Sequence, residues 1–409
     1  MLEKNVVVGV VGRRRSELPE LKLIDDIDDL IADFKERHSG EEPVRVSHWD
    51  PSEWFVKAIL NRVDLAKFSN PKSYVLDPIH YAYSYLLKRR RGDLEPVLTK
   101  LGFNSSSVSI QVMENGTSAI AAVANWLKVT GVSDVVLLRP YYFAVSRNLE
   151  RLNLRLRHVS MLRRDGEYVI PEDLPVAPGQ ALWITNPTYS TSVYSPESQL
   201  ERLKDLADRG IVIIADEALA IPPSKLAAEL GGHPNFIGIY TPHKSICMNG
   251  LKFSAVVHHP STGDTFDHWS DVLSGGLSLS AVMALHHFTQ PEFDEYKTIF
   301  FKLIEGVRSW HNSAVSGVTE MRTDAFARGH FISVYFPNLR ATLGDDVSFL
   351  AELMEETGAT IISGTRSGLD PSNGLSFRVN LAQDSPEFRS SLCNLYANLG
   401  AKARGLRAA

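Results

Sequence analysis

Cysteine is almost missing from this chain: Cys247 and Cys393 are the only two among 409 residues. Two thiols make no disulfide framework, and the first residues show no charged, apolar and small-residue leader, so the expected setting is reducing and cytoplasmic. Long apolar runs are lacking as well. No window approaches the roughly 18 uninterrupted apolar residues that a bilayer-crossing helix needs, so no membrane partner is expected. Charge is nearly balanced, with 43 Lys and Arg against 48 Asp and Glu and a net charge of -5. Such a balance creates no global field that would gather nucleic acid, which is not expected as a partner. Internal repeats and low-complexity tracts are absent.

What is present is ordinary globular material, 44% apolar and 22% charged. The length exceeds what one hydrophobic core usually organises, so more than one unit is expected. Residues 75–290 alternate helical patterns such as Ser118 to Val129 with short apolar runs such as Val135 to Leu138, Ala181 to Thr185 and Ile211 to Ala215. That order predicts an α/β class, a large domain whose mainly parallel sheet is sandwiched by helices. Residues 291–409 begin with a long helical stretch, Glu292 to Asn312, followed by strand-like pieces at His330 to Phe336 and Ser376 to Leu381. They read as a smaller α+β domain. Residues 1–74 hold an apolar run, Val6 to Val11, and an amphipathic helix, Leu21 to Arg37. This segment is too short to fold alone and is expected to pack with the small domain.

Four short stretches stand where strands end or helices begin. In Ile211-Val-Ile-Ile-Ala-Asp-Glu-Ala218 a strand delivers Asp216 and Glu217 at its carboxyl end, the edge of a parallel sheet where ligands bind. An acid there also serves simply to cap the next helix. In Ile239-Tyr-Thr-Pro-His-Lys244-Ser-Ile-Cys-Met-Asn-Gly250-Leu-Lys252, Lys244 is surrounded by Thr241, His243 and Ser245, with Gly250 for close backbone approach and Lys252 as a second cation. That set suits a phosphate and an aldehyde, although an isolated lysine is ordinarily a solvated surface charge. Met113-Glu-Asn-Gly116-Thr117-Ser118-Ala119-Ile120 opens a helical pattern with one glycine and two hydroxyls. Its free N–H groups and helix dipole make an anion site, while Thr117 or Ser118 can equally be a plain cap. The fourth stretch, Trp183-Ile-Thr-Asn186-Pro-Thr-Tyr-Ser-Thr-Ser192, ends a strand in Asn-Pro, which commonly marks only a turn.

In this order and spacing the stretches resemble the fold type I pyridoxal-phosphate-dependent enzymes, specifically the class I/II aminotransferase-like superfamily, over roughly Val44 to Leu381. The resemblance implies a homodimer in which Lys244 carries pyridoxal 5'-phosphate as a Schiff base and Asp216 pairs with the pyridine nitrogen. It implies that Gly116, Thr117, Ser118, Thr241 and Lys252 hold the phosphate and that Tyr142, in Arg139-Pro-Tyr-Tyr142, stacks on the ring. Asn186 would bond the phenolic oxygen, and Arg378, in Phe377-Arg378-Val-Asn380, would grip the carboxylate of an amino acid substrate. His48 and Trp49, in Ser47-His48-Trp49-Asp50-Pro51, match a segment that closes over substrate. One of Tyr81, Tyr83 and Tyr85 matches a tyrosine that reaches across the dimer. For these last five residues, plain packing is an equal alternative.

Three departures bear on the reaction. Leu219 stands where many aminotransferases place a tyrosine that bonds the phenolic oxygen. His243 before the lysine is similar to the pattern of fold type I amino-acid decarboxylases. Lys252 replaces the usual arginine, keeping the charge without the bidentate fork. The implied activity is most simply an aminotransferase. Lyase, decarboxylase, β- or γ-substitution and carbon-carbon bond-forming chemistry, or a non-catalytic ligand-binding relative, remain alternatives. His258, His259, His286 and His287 show no metal-ligand spacing, so no metal is expected. Cys247 beside the lysine reads as a packed thiol.

Overall fold

The computed structural model describes residues 19–62, 91–262, 266, 269, 272–273, 275–324 and 326–408. The apolar run from Val6 to Val11 and the three tyrosines Tyr81, Tyr83 and Tyr85 lie outside these residues. In chain order the strands begin with β1 (Val44–Arg45), β2 (Ser109–Met113), β3 (Asp134–Arg139) and β4 (Arg155–Ser160). Next come β5 (Leu162–Arg164), β6 (Glu167–Val169), β7 (Ala181–Thr185), β8 (Val212–Glu217), β9 (Phe236–Tyr240) and β10 (Ser254–His258). The last four are β11 (Arg322–Thr323), β12 (Phe331–Phe336), β13 (Ala359–Thr360) and β14 (Leu375–Asn380).

Seven of them form one sheet in the order β2-β10-β9-β8-β7-β3-β4. It is mostly parallel, as expected; β10 alone runs antiparallel to both of its neighbours, β2 and β9. Strands β7, β8, β9 and β10 are buried along their whole length, which explains their near-continuous apolar sequences. Because successive side chains point to opposite faces, Leu182, Ile184, Ile213 and Ala215 enter one core. Ala181, Trp183, Val212 and Ile214 enter a second core on the other face. Helices cover both. Gly116–Val129, for example, buries nine consecutive residues from Ala119 to Leu127.

A second, antiparallel sheet has the order β11-β12-β14, and the short β1 pairs in parallel with β13. The segment after the first helix (Pro19–Arg37) is thus hydrogen-bonded to the C-terminal part of the chain. The long helix expected over Glu292 to Asn312 spans Pro291–Val315. Among the strands not anticipated are β4 at the sheet edge, the β5–β6 hairpin that follows it, and the antiparallel β10. Among the described residues, no helix is long and apolar enough to cross a membrane.

Candidate active site

The carboxyl ends of β7, β8 and β9 open into a cavity of about 720 Å³. The register sets Thr185 beside Asp216, and Asp216 beside Ile239. Asp216 thus emerges at the strand end, only 4% exposed, and its carboxylate accepts a hydrogen bond from Ala218 N–H (3.2 Å). After β9 the chain tightens into a short 3-10 turn, Pro242–Ile246, closed by Cys247 in the left-handed region (φ 57°). That turn swings Lys244 back over the strand ends, so Lys244, Asp216 and Thr241 line the same cavity.

Burial holds the Lys244 amine below its ordinary value; Asp216 opposes this, while Arg378 and Lys252 add repulsion. Burial pushes the Asp216 carboxyl up, opposed by the Ala218 N–H and by Lys244. Lys244 Nζ lies 4.9 Å from the centre of the Trp49 ring and 5.2 Å from that of Tyr142.

At the other side of the cavity the helix Gly116–Val129 begins. Asn115 caps it, accepting from Ser118 N–H (3.0 Å), while the Ser118 hydroxyl donates to Asn115 O (2.7 Å) and accepts from Asn115 N–H (3.1 Å). The Ser118 hydroxyl is therefore engaged in a capping box, and the N–H groups of Gly116 and Thr117 stay available at the positive end of the helix. A Cβ on Gly116 would lie 3.4 Å from Thr241 Oγ1, so glycine keeps this corner open. Thr241 shares a hydrogen bond with Ser254 (2.6 Å), and Lys252, also on the wall, donates to Asn249 O (2.6 Å). Thr117 and Tyr142 line the same cavity.

Gly116, Thr117, Ser118, Tyr142, Asp216, Thr241, Lys244, Lys252 and Trp49 thus all meet in one cavity. Three other candidates stand off its wall. Asn186 is buried with its carboxamide engaged, donating to Glu217 Oε1 (2.8 Å) and accepting from Ser195 N–H (3.0 Å). His48 is half-buried and accepts from Asp50 N–H (3.2 Å), while its carbonyl accepts from Asn380. Arg378, 4% exposed, donates from Nε to Ser47 O (3.0 Å) and stacks on the Trp49 ring (3.9 Å). His243 faces away into Phe253, Phe288 and Phe293 and pairs with His287 (3.1 Å). Leu219 lines the cavity as a bare apolar side chain.

Several wall residues escaped the reading of the sequence, among them Asn148, Arg151, Thr185 and Tyr189. Thr185 has a buried hydroxyl with no hydrogen-bond partner among the described residues. Tyr189, on the turn after Asn186, is 8% exposed and sits 6.0 Å, centre to centre, from both Trp49 and Tyr142. The signal for Tyr189 was available: a bulky aromatic follows Asn186-Pro-Thr, on the turn that begins with a candidate cofactor ligand. Among the described residues, no group of three His, Cys, Asp or Glu is placed to hold a metal ion.

No protein-family model matches the chain, and no curated protein matches it in sequence. Solved structures do match. A methionine aminotransferase from Escherichia coli superposes with a TM-score of 0.69 at 15% identity, covering 94% of this chain and 99% of that one. An aspartate aminotransferase from Thermotoga maritima gives 0.69 at 16% identity over 95% and 100%. N-succinyldiaminopimelate aminotransferase from Mycobacterium tuberculosis gives 0.66 at 17% identity over 93% and 100%. At such identities the likeness is one of fold: the chain has the type I fold of the pyridoxal-phosphate-dependent aminotransferases, over almost its full length.

Proposed function

We propose that this protein is a pyridoxal-phosphate-dependent enzyme acting on an α-amino acid, most simply an aminotransferase. The observation that carries this reading is the meeting of Lys244, from the turn after β9, and Asp216, from the end of β8, in one buried cavity that also holds Lys252 and the start of the helix Gly116–Val129. The residues present fit the cofactor. The glycine corner at Gly116, the available N–H groups beside it, the Thr241 hydroxyl and the Lys252 cation suit a phosphate. The partnerless Thr185 hydroxyl and the buried Asp216 carboxylate provide polar atoms aimed where a heteroaromatic ring would lie.

When bound, the cofactor supplies an electron sink for a bond at the substrate's α-carbon. The chain does the rest. Asp216, in its ionised form, holds a proton on the ring nitrogen. Lys244, whose amine is neutral at lower pH than an exposed lysine, would hold the cofactor and would then be free to move a proton at the α-carbon. Trp49 and Tyr142 set aromatic rings 4.9 and 5.2 Å from the amine. The comparisons support amino acid substrates, since the matched structures carry the names of methionine, aspartate and succinyldiaminopimelate aminotransferases.

Borohydride treatment followed by intact-mass and peptide analysis tests the reading. Wild-type protein should gain one cofactor-sized adduct on Lys244, and Lys244→Ala should gain none; an unmodified wild-type lysine defeats it. Loss of the cofactor's absorbance band on adding amino donors would then identify transamination, and its persistence with every donor would point to lyase or substitution chemistry.

A further inference from the structure

Further along the same edge of the sheet lies a second cavity, of about 320 Å³, on which none of the roles above draws. Arg139 and Ser160 end the parallel strands β3 and β4, are register partners there, and both line it. It therefore opens at strand carboxyl ends, where parallel sheets take ligands. The facing wall is the 3-10 turn Gly364–Ser367 and the residues that follow. Gly368 has φ +82°, and a Cβ on it would come within 3.3 Å of Pro140 Cα, so glycine lets this turn close on the end of β3. Tyr141 and Phe143 line this second cavity, whereas Tyr142 between them lines the cavity of Lys244.

The wall is set for an anion. Among the described residues it carries two guanidiniums, Arg139 and Arg366, and no carboxylate. Arg366 donates from Nε to Asp345 (2.9 Å). Arg139 is exposed and has no hydrogen bond or ion pair among the described residues. The Ser367 hydroxyl also lacks a partner among them, although the residue is only 9% exposed. A hydroxyl so far removed from water is costly to leave unpaired, and a bound acceptor relieves that cost. The helix Phe143–Arg151 begins beside it with no side-chain cap and no acid in its first turn, so its first N–H groups add positive potential. We propose that this cavity binds a small organic phosphate, at a site separate from that of Lys244. Guanidiniums, hydroxyl and helix start come from separate elements, which suits a tetrahedral dianion better than a planar carboxylate that one guanidinium holds by its edge. The volume is that of a small-molecule site, and Phe143, Leu369 and Pro371 give the ligand's organic part an apolar flank.

Calorimetry on the holoprotein tests the proposal, with the cofactor first fixed by borohydride so that the phosphate corner at Gly116 is filled. The probes are phenyl phosphate, inorganic phosphate, benzoate and, as the neutral control, phenol. Wild type should bind phenyl phosphate more tightly than each of the other three. Arg139→Gln and Ser367→Ala should each weaken it about 10- to 100-fold, the range for a hydrogen bond to a charged group. No phenyl phosphate binding to wild type, or wild-type affinity in either variant, would overturn the assignment. So would benzoate, inorganic phosphate or phenol binding as tightly as phenyl phosphate. Arg139 is exposed, so Arg139→Gln should fold, and it decides alone if Ser367→Ala does not. Absence of a Lys244 adduct would defeat the cofactor reading separately. The same titration on the protein as isolated would then still decide, because neither Arg139 nor Ser367 lines the first cavity.

Discussion

Glu217 lies one position past Asp216 and, on a pleated strand, faces the other way. It is 1% exposed and accepts hydrogen bonds from Asn186 and Ser224. Burial pushes its carboxyl from 4.5 up to about 7, against those bonds. Below pH 4.5 the group is protonated in folded and unfolded chains alike. Between 4.5 and 7 the unfolded chain releases the proton while the folded one retains it, so stability declines through that window. Glu217→Gln cannot titrate and should lack the decline, gaining on the order of 2 kcal/mol relative to wild type by about pH 8. Thermal denaturation across the range checks this; parallel pH profiles would falsify it. The same contact explains a limit of sequence reading. Asn186 could be located from its Asn-Pro motif, but the acid that holds its carboxamide sits on a neighbouring strand. Only the pairing of β7 with β8 brings the two together. Tyr189 was hidden differently: the rings that flank it, Trp49 and Tyr142, come from distant parts of the chain.

Elements were legible in proportion to their burial. β7 and β8 are buried on both faces and read as unbroken apolar runs, so their limits were placed to within two residues. β4, Arg155-Leu-Arg-His-Val-Ser, is an edge strand with exposed Arg155, Arg157 and His158, and its charges hide it among loop sequences. The turn into β14 carries a further prediction. Gly374 has φ +81°, and a Cβ there would run into the Phe336 carbonyl oxygen and lie 2.7 Å from Pro337 Cα. Both obstacles are backbone and cannot swing aside. Gly374→Ala should therefore cost about 2–4 kcal/mol, measured by denaturant unfolding, since strain and overlap act together. A change under about 0.5 kcal/mol would show that the turn adjusts freely.

At the scale of the whole molecule, the alternation of helix and strand was enough to read the parallel sheet, whereas the ties between the β5–β6 hairpin and the second sheet were not visible. Arg163, on the β5–β6 hairpin, donates to Asp324 (3.0 Å) and lies over the Tyr335 ring (4.4 Å). Tyr168 and Tyr335 also donate to Asp324 (3.3 and 3.2 Å). These partners are far apart in sequence, and each alone passes for a surface residue. Burial pushes the Asp324 carboxyl up to about 6, with Arg163 restraining the rise. Arg163→Met removes the restraint, so the folded state would hold its proton to still higher pH. Its stability deficit against wild type should be small near pH 5 and widen by roughly 2 kcal/mol by about pH 8. A deficit that does not vary with pH would mean that only packing was lost.

The crossed bonds between Ser47 and Arg378, hydroxyl to carbonyl (2.7 Å) one way and Nε to carbonyl (3.0 Å) the other, rivet the N-terminal strap to β14. Trp49, two residues along that strap, rides with the guanidinium it stacks upon. Any swing of the second sheet would therefore carry indole and guanidinium together, so a piece of the cavity wall and the cation buried behind it would shift as a single body.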